Sequence, residues 1–128
     1  MKWLEEKTMV KVLVVDDDES LASVIKLMLE FEGYKVVLGM NGKDGYNAYL
    51  QFRPSLVITD IVMPGENGIE MVNRIRDHDP KVKTLYISGH LDKFRSRLEE
   101  EMMKFPVNFL GKPFSRKELI SQICQLAN

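Results

Sequence analysis

The sequence predicts an α/β domain of five strands and five helices in strict alternation, a (βα)5 unit built around a five-stranded parallel sheet. Two observations carry that prediction. Short apolar runs rich in β-branched residues recur along the 128-residue chain, each followed by apolar residues at helical spacing. Strands that alternate with helices pair in parallel through right-handed crossovers, which puts helices on both faces of the sheet. The second observation is that three of the runs end in chemistry. Val12-Leu13-Val14-Val15 enters Asp16-Asp17-Asp18, Leu56-Val57-Ile58-Thr59 enters Asp60, and Phe109-Leu110-Gly111 enters Lys112-Pro113. Parallel strands present all their C-terminal ends on one edge, where open α/β sheets bind ligands. Several carboxylates and one ammonium are thereby predicted to share a crevice.

Each element follows from local pattern. Residues 10–15 read as the first strand, and Leu21, Val24, Ile25, Met28 and Leu29 follow at helical spacing until Gly33. Residues 34–38 make a second strand, with Asn41-Gly42 as a turn. Tyr46, Tyr49, Leu50 and Phe52 mark a second helix, weakened by Gly45 and ended by Pro54. Residues 56–59 are the third strand, residues 63–68 a loop, and Ile69, Val72 and Ile75 a third helix. Residues 82–87 form the fourth strand, with Leu91, Phe94, Leu98 and Met102 on the core-facing side of a fourth helix. Residues 106–110 are the fifth strand. Ser115-Arg116-Lys117-Glu118 has the form of a capping box and opens a last helix that turns Leu119, Ile120, Ile123 and Leu126 inward. No linker, low-complexity tract or repeat interrupts the pattern, so residues 10–127 read as one domain behind an N-terminal extension, residues 1–9.

Composition narrows the function. Eighteen Lys and Arg against 19 Asp and Glu leave a net charge of −1, so no bulk basic field argues for nucleic acid. Lys93, Arg95 and Arg97 are candidates for a local basic patch. A single cysteine excludes an internal disulfide, and the register of Cys124 with Ile120, Ile123 and Ala127 predicts a buried, inert thiol. No apolar run approaches the roughly 18 residues of a membrane span, and residues 1–8 lack the apolar core of a signal peptide, so a cytoplasmic location is expected. Glu99-Glu100-Glu101 reads as a solvated helix face, the eight methionines as core filler, His78 as a surface residue and His90 as a peripheral neighbour of the crevice. Trp3 has no partner identifiable from sequence.

The acids ask for more than helix capping. A cap on the first helix accounts for one carboxylate, Asp18, or for Ser20, and leaves Asp16 and Asp17 unexplained. Carboxylates at two strand ends hold a hard cation through oxygen, and Mg²⁺ prefers few carboxylates with water and phosphate oxygens completing its shell. A carboxylate facing solvent beside that ion is a competent nucleophile toward phosphorus, and Lys112 would offset charge on a transferred phosphoryl group.

The ordered pattern Val-Val-Asp16-Asp17, Ile-Thr-Asp60-Ile-Val-Met-Pro64-Gly65-x-x-Gly68, Ile-Ser88-Gly89 and Gly-Lys112-Pro113-Phe114 resembles the receiver domain of two-component response regulators, chemotaxis receivers included. The likeness covers about residues 10 to 127. It implies a flavodoxin-like doubly wound fold with strand order 2-1-3-4-5. It implies Asp60 as phosphoacceptor, Asp17 as a direct Mg²⁺ ligand, Asp16 as a ligand through water, and the Val62 backbone carbonyl as the third protein ligand, with Mn²⁺ able to substitute. Lys112 then pairs with the acids and later with phosphate, Ser88 is the switch hydroxyl, Phe109 the switch aromatic, and Lys112-Pro113 a cis peptide. Asp18 receives no role beyond solvation or capping.

The function implied is a signalling switch that catalyses only its own phosphorylation and dephosphorylation. A histidine kinase or phosphotransfer protein would supply the phosphoryl group. A downstream protein would read the fourth helix, fifth strand and fifth helix, and the domain itself would bind neither nucleic acid nor membrane. With no output domain expected after Asn128, the chain is a stand-alone regulator, a phosphorelay intermediate, or a fragment of a larger DNA-binding regulator or hybrid histidine kinase. The salt-bridged dimer of winged-helix regulators wants acids early in the fifth strand, where this chain has Phe105-Pro106-Val107-Asn108-Phe109. A metal-dependent phosphohydrolase using the same nucleophile would want a substrate-binding insertion, and every loop here is short. Nucleotide binding would want a Gly-rich loop after the first strand, where Asp16-Asp17-Asp18-Glu19 stands instead.

Overall fold

Strand and helix alternate through all ten elements: β1 (Lys11–Val15), α1 (Glu19–Phe31), β2 (Lys35–Gly39), α2 (Gly42–Phe52), β3 (Leu56–Asp60), α3 (Gly68–Arg76), β4 (Lys83–Ser88), α4 (Leu91–Met102), β5 (Val107–Gly111) and α5 (Arg116–Ala127). The structure, a computed structural model, describes residues 10–127, and the N-terminal extension with Trp3 lies outside the described residues. All four pairings are parallel, in the order β2-β1-β3-β4-β5. The flavodoxin-like arrangement is therefore as the resemblance implied.

Period-2 alternation splits the sheet between two cores. Val12, Val14, Ile58, Leu85 and Ile87 face α1 and α5, where Ile25, Leu29, Leu119 and Ile123 meet them. Leu13, Val15, Val57 and Tyr86 face α2, α3 and α4, against Tyr49, Ile69, Val72, Ile75 and Leu98. Residues of β3 are buried on both faces, so removing one, as in Ile58→Ala, is expected to cost about 2–5 kcal/mol. Gly45, which weakens α2 as a helix, is what lets that helix lie on the sheet. A Cβ there would stand 2.7 Å from side-chain atoms of both Val15 and Met71.

The starts of α1, α2, α3 and α5 are fixed by side-chain caps. Asp18 accepts from the Leu21 amide at 3.1 Å. Ser115 and Glu118 form the reciprocal box read from sequence, at 2.9 and 3.1 Å, and Asn67 and Glu70 form another on α3. Asn41 likewise accepts from the Asp44 amide at 2.8 Å, so Asn41-Gly42 is the opening of α2 and not a free turn.

Two inward assignments, Cys124 and Met102, fail, and one residue of the apolar spacing read for α1 points outward. Val24 is exposed, and with Leu27 and Phe31 (84% exposed) it forms an apolar outer face on α1, the inward stripe being Ala22, Ile25 and Leu29. Cys124 is exposed, because with Ile123 inward the next residue sits about 100° further round the helix. On α4, Met102 is 43% exposed while Glu101 is only 8% exposed. The helix is rotated so that a carboxylate enters the core, and it does so because Arg76 and Tyr86 are there to receive it.

Candidate functional site

The C-terminal edge of the sheet gathers the polar strand ends. Asp16 follows β1 and is fully buried. Its amide donates to the Gly39 carbonyl at the end of β2, 3.1 Å away. Its Oδ1 accepts from the Asp18 amide at 2.8 Å and its Oδ2 from Lys112 Nζ at 2.9 Å. Asp60, the last residue of β3, accepts from the Ile61 amide on Oδ1 at 2.8 Å and from the same Lys112 ammonium on Oδ2 at 3.1 Å. One ammonium thus bridges two buried carboxylates. Asp17 is exposed, and it, Asp16 and Asp60 each offer an oxygen such that all three lie within 4.8 Å of one another.

Electrostatics follow from that geometry. Burial raises the Asp60 carboxyl above its usual range; Lys112 opposes this through its hydrogen bond and charge, the Asp16 charge adds to the rise, and the net is up. For Lys112, burial disfavours the ammonium, but its hydrogen bonds to Asp16 and Asp60 outweigh that and hold its proton more tightly than usual. The lysine therefore offsets much of the carboxylate repulsion that the sequence implied. The donor set, oxygen only and rich in carboxylate, fits a hard divalent cation of the Mg²⁺ kind.

The loop after β3 is shaped to the acid it follows. Thr59 Oγ1 donates to the Asp60 carbonyl at 2.8 Å, and the Gly68 amide donates to the Ile61 carbonyl at 2.9 Å. A Cβ on Gly68 would stand 2.0 Å from the Asp60 carbonyl oxygen, closer than any side chain allows. Gly68→Ala is accordingly expected to push the loop off β3 and lower stability by about 1–3 kcal/mol. Thermal denaturation checks this.

Ser88 closes β4, is buried, and accepts from the His90 amide on Oγ at 2.9 Å. The Lys112 amide donates to the Ser88 carbonyl at 2.9 Å, which joins the ends of β4 and β5 and fixes the lysine beside the acids. Lys112–Pro113 is cis, matching the resemblance. Phe109 is half-buried on β5, and the Arg95 guanidinium of α4 lies 5.8 Å from its ring centre. Val62 lies in the β3–α3 loop with its side chain half exposed. His90, at the N-cap of α4, makes no side-chain cap bond, and His78 is exposed, meeting the Tyr46 hydroxyl at 2.7 Å. Sequence reasoning missed Thr59, whose signal was a hydroxyl beside an acid on a wholly apolar strand. It also missed Arg76, signalled by a cation within the apolar stripe of α3.

An acid cluster bridged by one lysine, set at the C-terminal edge of a 2-1-3-4-5 sheet with a buried serine at the next strand end, is the architecture of a receiver module. The family description "Response regulator receiver domain" matches residues 12–124, and the chain belongs to that family. Receiver domains are phosphoacceptor signalling modules of two-component systems. Among curated relatives, the uncharacterized transcriptional regulatory protein YkoG of Bacillus subtilis is 30% identical over 115 residues, 88% of this chain and 48% of that protein. The DNA-binding response regulator MtrA of Mycobacterium tuberculosis is 33% identical over 113 residues, 88% of this chain and 48% of that protein. The chain spans about half the length of these relatives. Among solved structures, TrrA of Thermotoga maritima, in complex with Mg²⁺ and BeF, superposes with TM-score 0.80 at 29% identity, covering 92% of this chain and 99% of that one. No helix of the described residues is long and apolar enough to cross a membrane.

Proposed function

We propose that Asp60 accepts a phosphoryl group from the phosphohistidine of a histidine kinase or phosphotransfer protein, in a Mg²⁺-dependent reaction. The observation that carries this is the Lys112 bridge to Asp16 and Asp60 with three carboxylate oxygens converging beside it. The Ile61 amide holds one Asp60 oxygen and Lys112 the other, so the carboxylate is oriented before any donor arrives. One oxygen attacks phosphorus as the bond to the donor imidazole breaks, and the Lys112 ammonium then pairs with the transferred phosphoryl oxygens. Asp16, Asp17, Asp60 and the Val62 carbonyl would hold Mg²⁺, or Mn²⁺ in its place, which when bound neutralises charge on those oxygens. The complex of TrrA with Mg²⁺ and BeF supports this reading. Phosphotransfer profiling against candidate kinases tests it: label should reach the wild-type chain from at least one of them, and a chain that accepts from none and from no small donor refutes it.

The output follows from Ser88 and Phe109. A phosphoryl group on Asp60 gives the Ser88 hydroxyl an acceptor, and its inward turn frees space for the Phe109 ring to follow. Small packing events of this kind select between surface arrangements, here over α4, β5 and α5, for a downstream protein. Ser88→Ala is expected to leave phosphorylation largely intact while suppressing the phosphorylation-dependent amide shifts around Lys93, Arg97 and Phe109. Shifts of wild-type size in the variant would break this coupling. The match to the DNA-binding regulator MtrA favours a second reading of the chain's wider role, the input half of a longer regulator. With such partners, a cytoplasmic location is part of the same proposal.

A further inference from the structure

Across the sheet face from the acid cluster lies a second polar group that phosphoryl chemistry does not use. Glu101, in the last turn of α4, turns its carboxylate into the core, where Oε1 accepts from the Tyr86 hydroxyl at 2.8 Å and from Arg76 Nη2 at 3.0 Å. Tyr86 is fully buried on β4, two residues before Ser88. Burial and then the Glu101 charge push its phenol pKa up, so it stays a donor. Arg76, at the end of α3, is itself held: Nη1 donates to Asn73 at 3.1 Å, and the guanidinium lies 3.9 Å from the centre of the Phe105 ring. Above this cluster α3 and α4 are parted by an open groove of about 500 Å³ lined by Asn73, Arg97, Glu100 and Lys104 among others. The cluster bridges the two helices at the foot of that groove.

The other end of α4 is held differently. His90 supplies no side-chain cap, and Asp92, Lys93, Arg95, Ser96 and Arg97 are exposed. Glu101 lies ten residues past Leu91, about 15 Å along the helix. We propose that Arg76, Glu101 and Tyr86 form a latch that fastens the C-terminal turn of α4 to α3 and β4, so that switching at Ser88 moves α4 as a lever pivoting on that turn. The output change is thereby concentrated over residues 90–97 and fades toward residue 102. This deepens the receiver reading above and rests on it for the switching signal; the latch itself exists in the resting fold. A buried carboxylate with two donors is rigid because breaking it strands a charge.

Amide hydrogen exchange on the full chain, with and without Mg²⁺ and beryllofluoride, tests the latch. Without ligand, the last turn of α4 should exchange more slowly than its first. Glu101→Gln should speed exchange there by about tenfold or more, the scale of one charge-assisted hydrogen bond, while leaving the first turn and β1 unchanged. Tyr86→Phe keeps the ring and removes only the hydroxyl, and should give about threefold or more. With Mg²⁺ and beryllofluoride, wild-type amide shifts should concentrate over residues 90–97 and in Glu101→Gln should spread through residue 104. Equal last-turn exchange in wild type and both variants, or wild-type shifts as large at residues 101–104 as at 91–95, overturns the latch. Absence of any ligand response near Asp60 speaks against the phosphoacceptor reading alone, because the exchange comparison needs no ligand.

Discussion

Asp60→Asn is expected to abolish phosphoryl uptake. Given Mg²⁺ and a small phosphodonor, the wild-type chain should gain the mass of one phosphoryl group as an adduct labile to base and hydroxylamine, and the variant should gain none. Asp18→Asn should behave as wild type, since Asp18 caps α1 and its carboxylate faces the Leu21 amide. Label retained by Asp60→Asn, or found on His90, would relocate the acceptor. The same substitution has a stability signature with a definite sign. The folded-state pKa of Asp60 is raised above its usual 3.8. Folding therefore binds its proton more tightly than the unfolded chain does. Its favourable contribution is complete below pH 3.8 and is lost as pH rises through the higher folded-state titration. In Mg²⁺-free buffer Asp60→Asn should thus match wild type in acid and exceed it in Tm near neutrality. Melting curves that run parallel from pH 3 to 7 would count against a crowded site.

Lys112→Met should be the most destabilising single change at the site. It leaves the fully buried Asp16 and the nearly buried Asp60 facing each other without their shared cation. Breaking a buried pair from one side costs about 3–5 kcal/mol, roughly 10–20 °C in Tm for a domain of this size. Because Lys112 has a raised folded-state pKa, its contribution is complete below 10.5 and is lost as pH climbs through the folded value. Wild type should therefore lose its advantage over Lys112→Met in strong alkali. Mg²⁺ should restore the variant more than it helps wild type, since the ion no longer competes with an ammonium; at a hundredfold excess over Kd binding supplies about 2.7 kcal/mol. A variant that melts like wild type in the absence of metal would mean the bridge contributes nothing.

The alternation of strand and helix was legible because periods of 2 and 3.6 are local properties of the chain. The strand order was not local: it came with the resemblance, and the pairings of β1 with both β2 and β3 bear it out. Asp16, Asp60 and Lys112 could be placed together from sequence because each terminates a parallel strand, and geometry does the rest. Glu101 could not, since its partner Arg76 lies 25 positions away and a run of three glutamates on a helix looks solvated. Cys124 failed, and Val24 points outward, for a related reason. Apolar spacing marks a helix but not which edge of a broad stripe meets the sheet, and one residue's step of rotation separates core from solvent. Gly68 belonged to a recognisable loop motif, but its need for bare backbone shows only once the Asp60 carbonyl is seen against it.

The sheet is parallel throughout, so the chain visits its two edges in strict turn. The segments between a strand and the next helix lie on the crevice side, and the C-terminal ends of β1, β3 and β5 with the residues just after them supply its acids and ammonium. The returns at residues 32–34, 53–55, 77–82 and 103–106 lie at the far edge and carry none of those groups. Chemistry and chain length are thereby decoupled. An insertion in a return such as residues 32–34 is therefore expected to leave the crevice carboxylates in place, whereas a single insertion on the crevice side displaces the site itself.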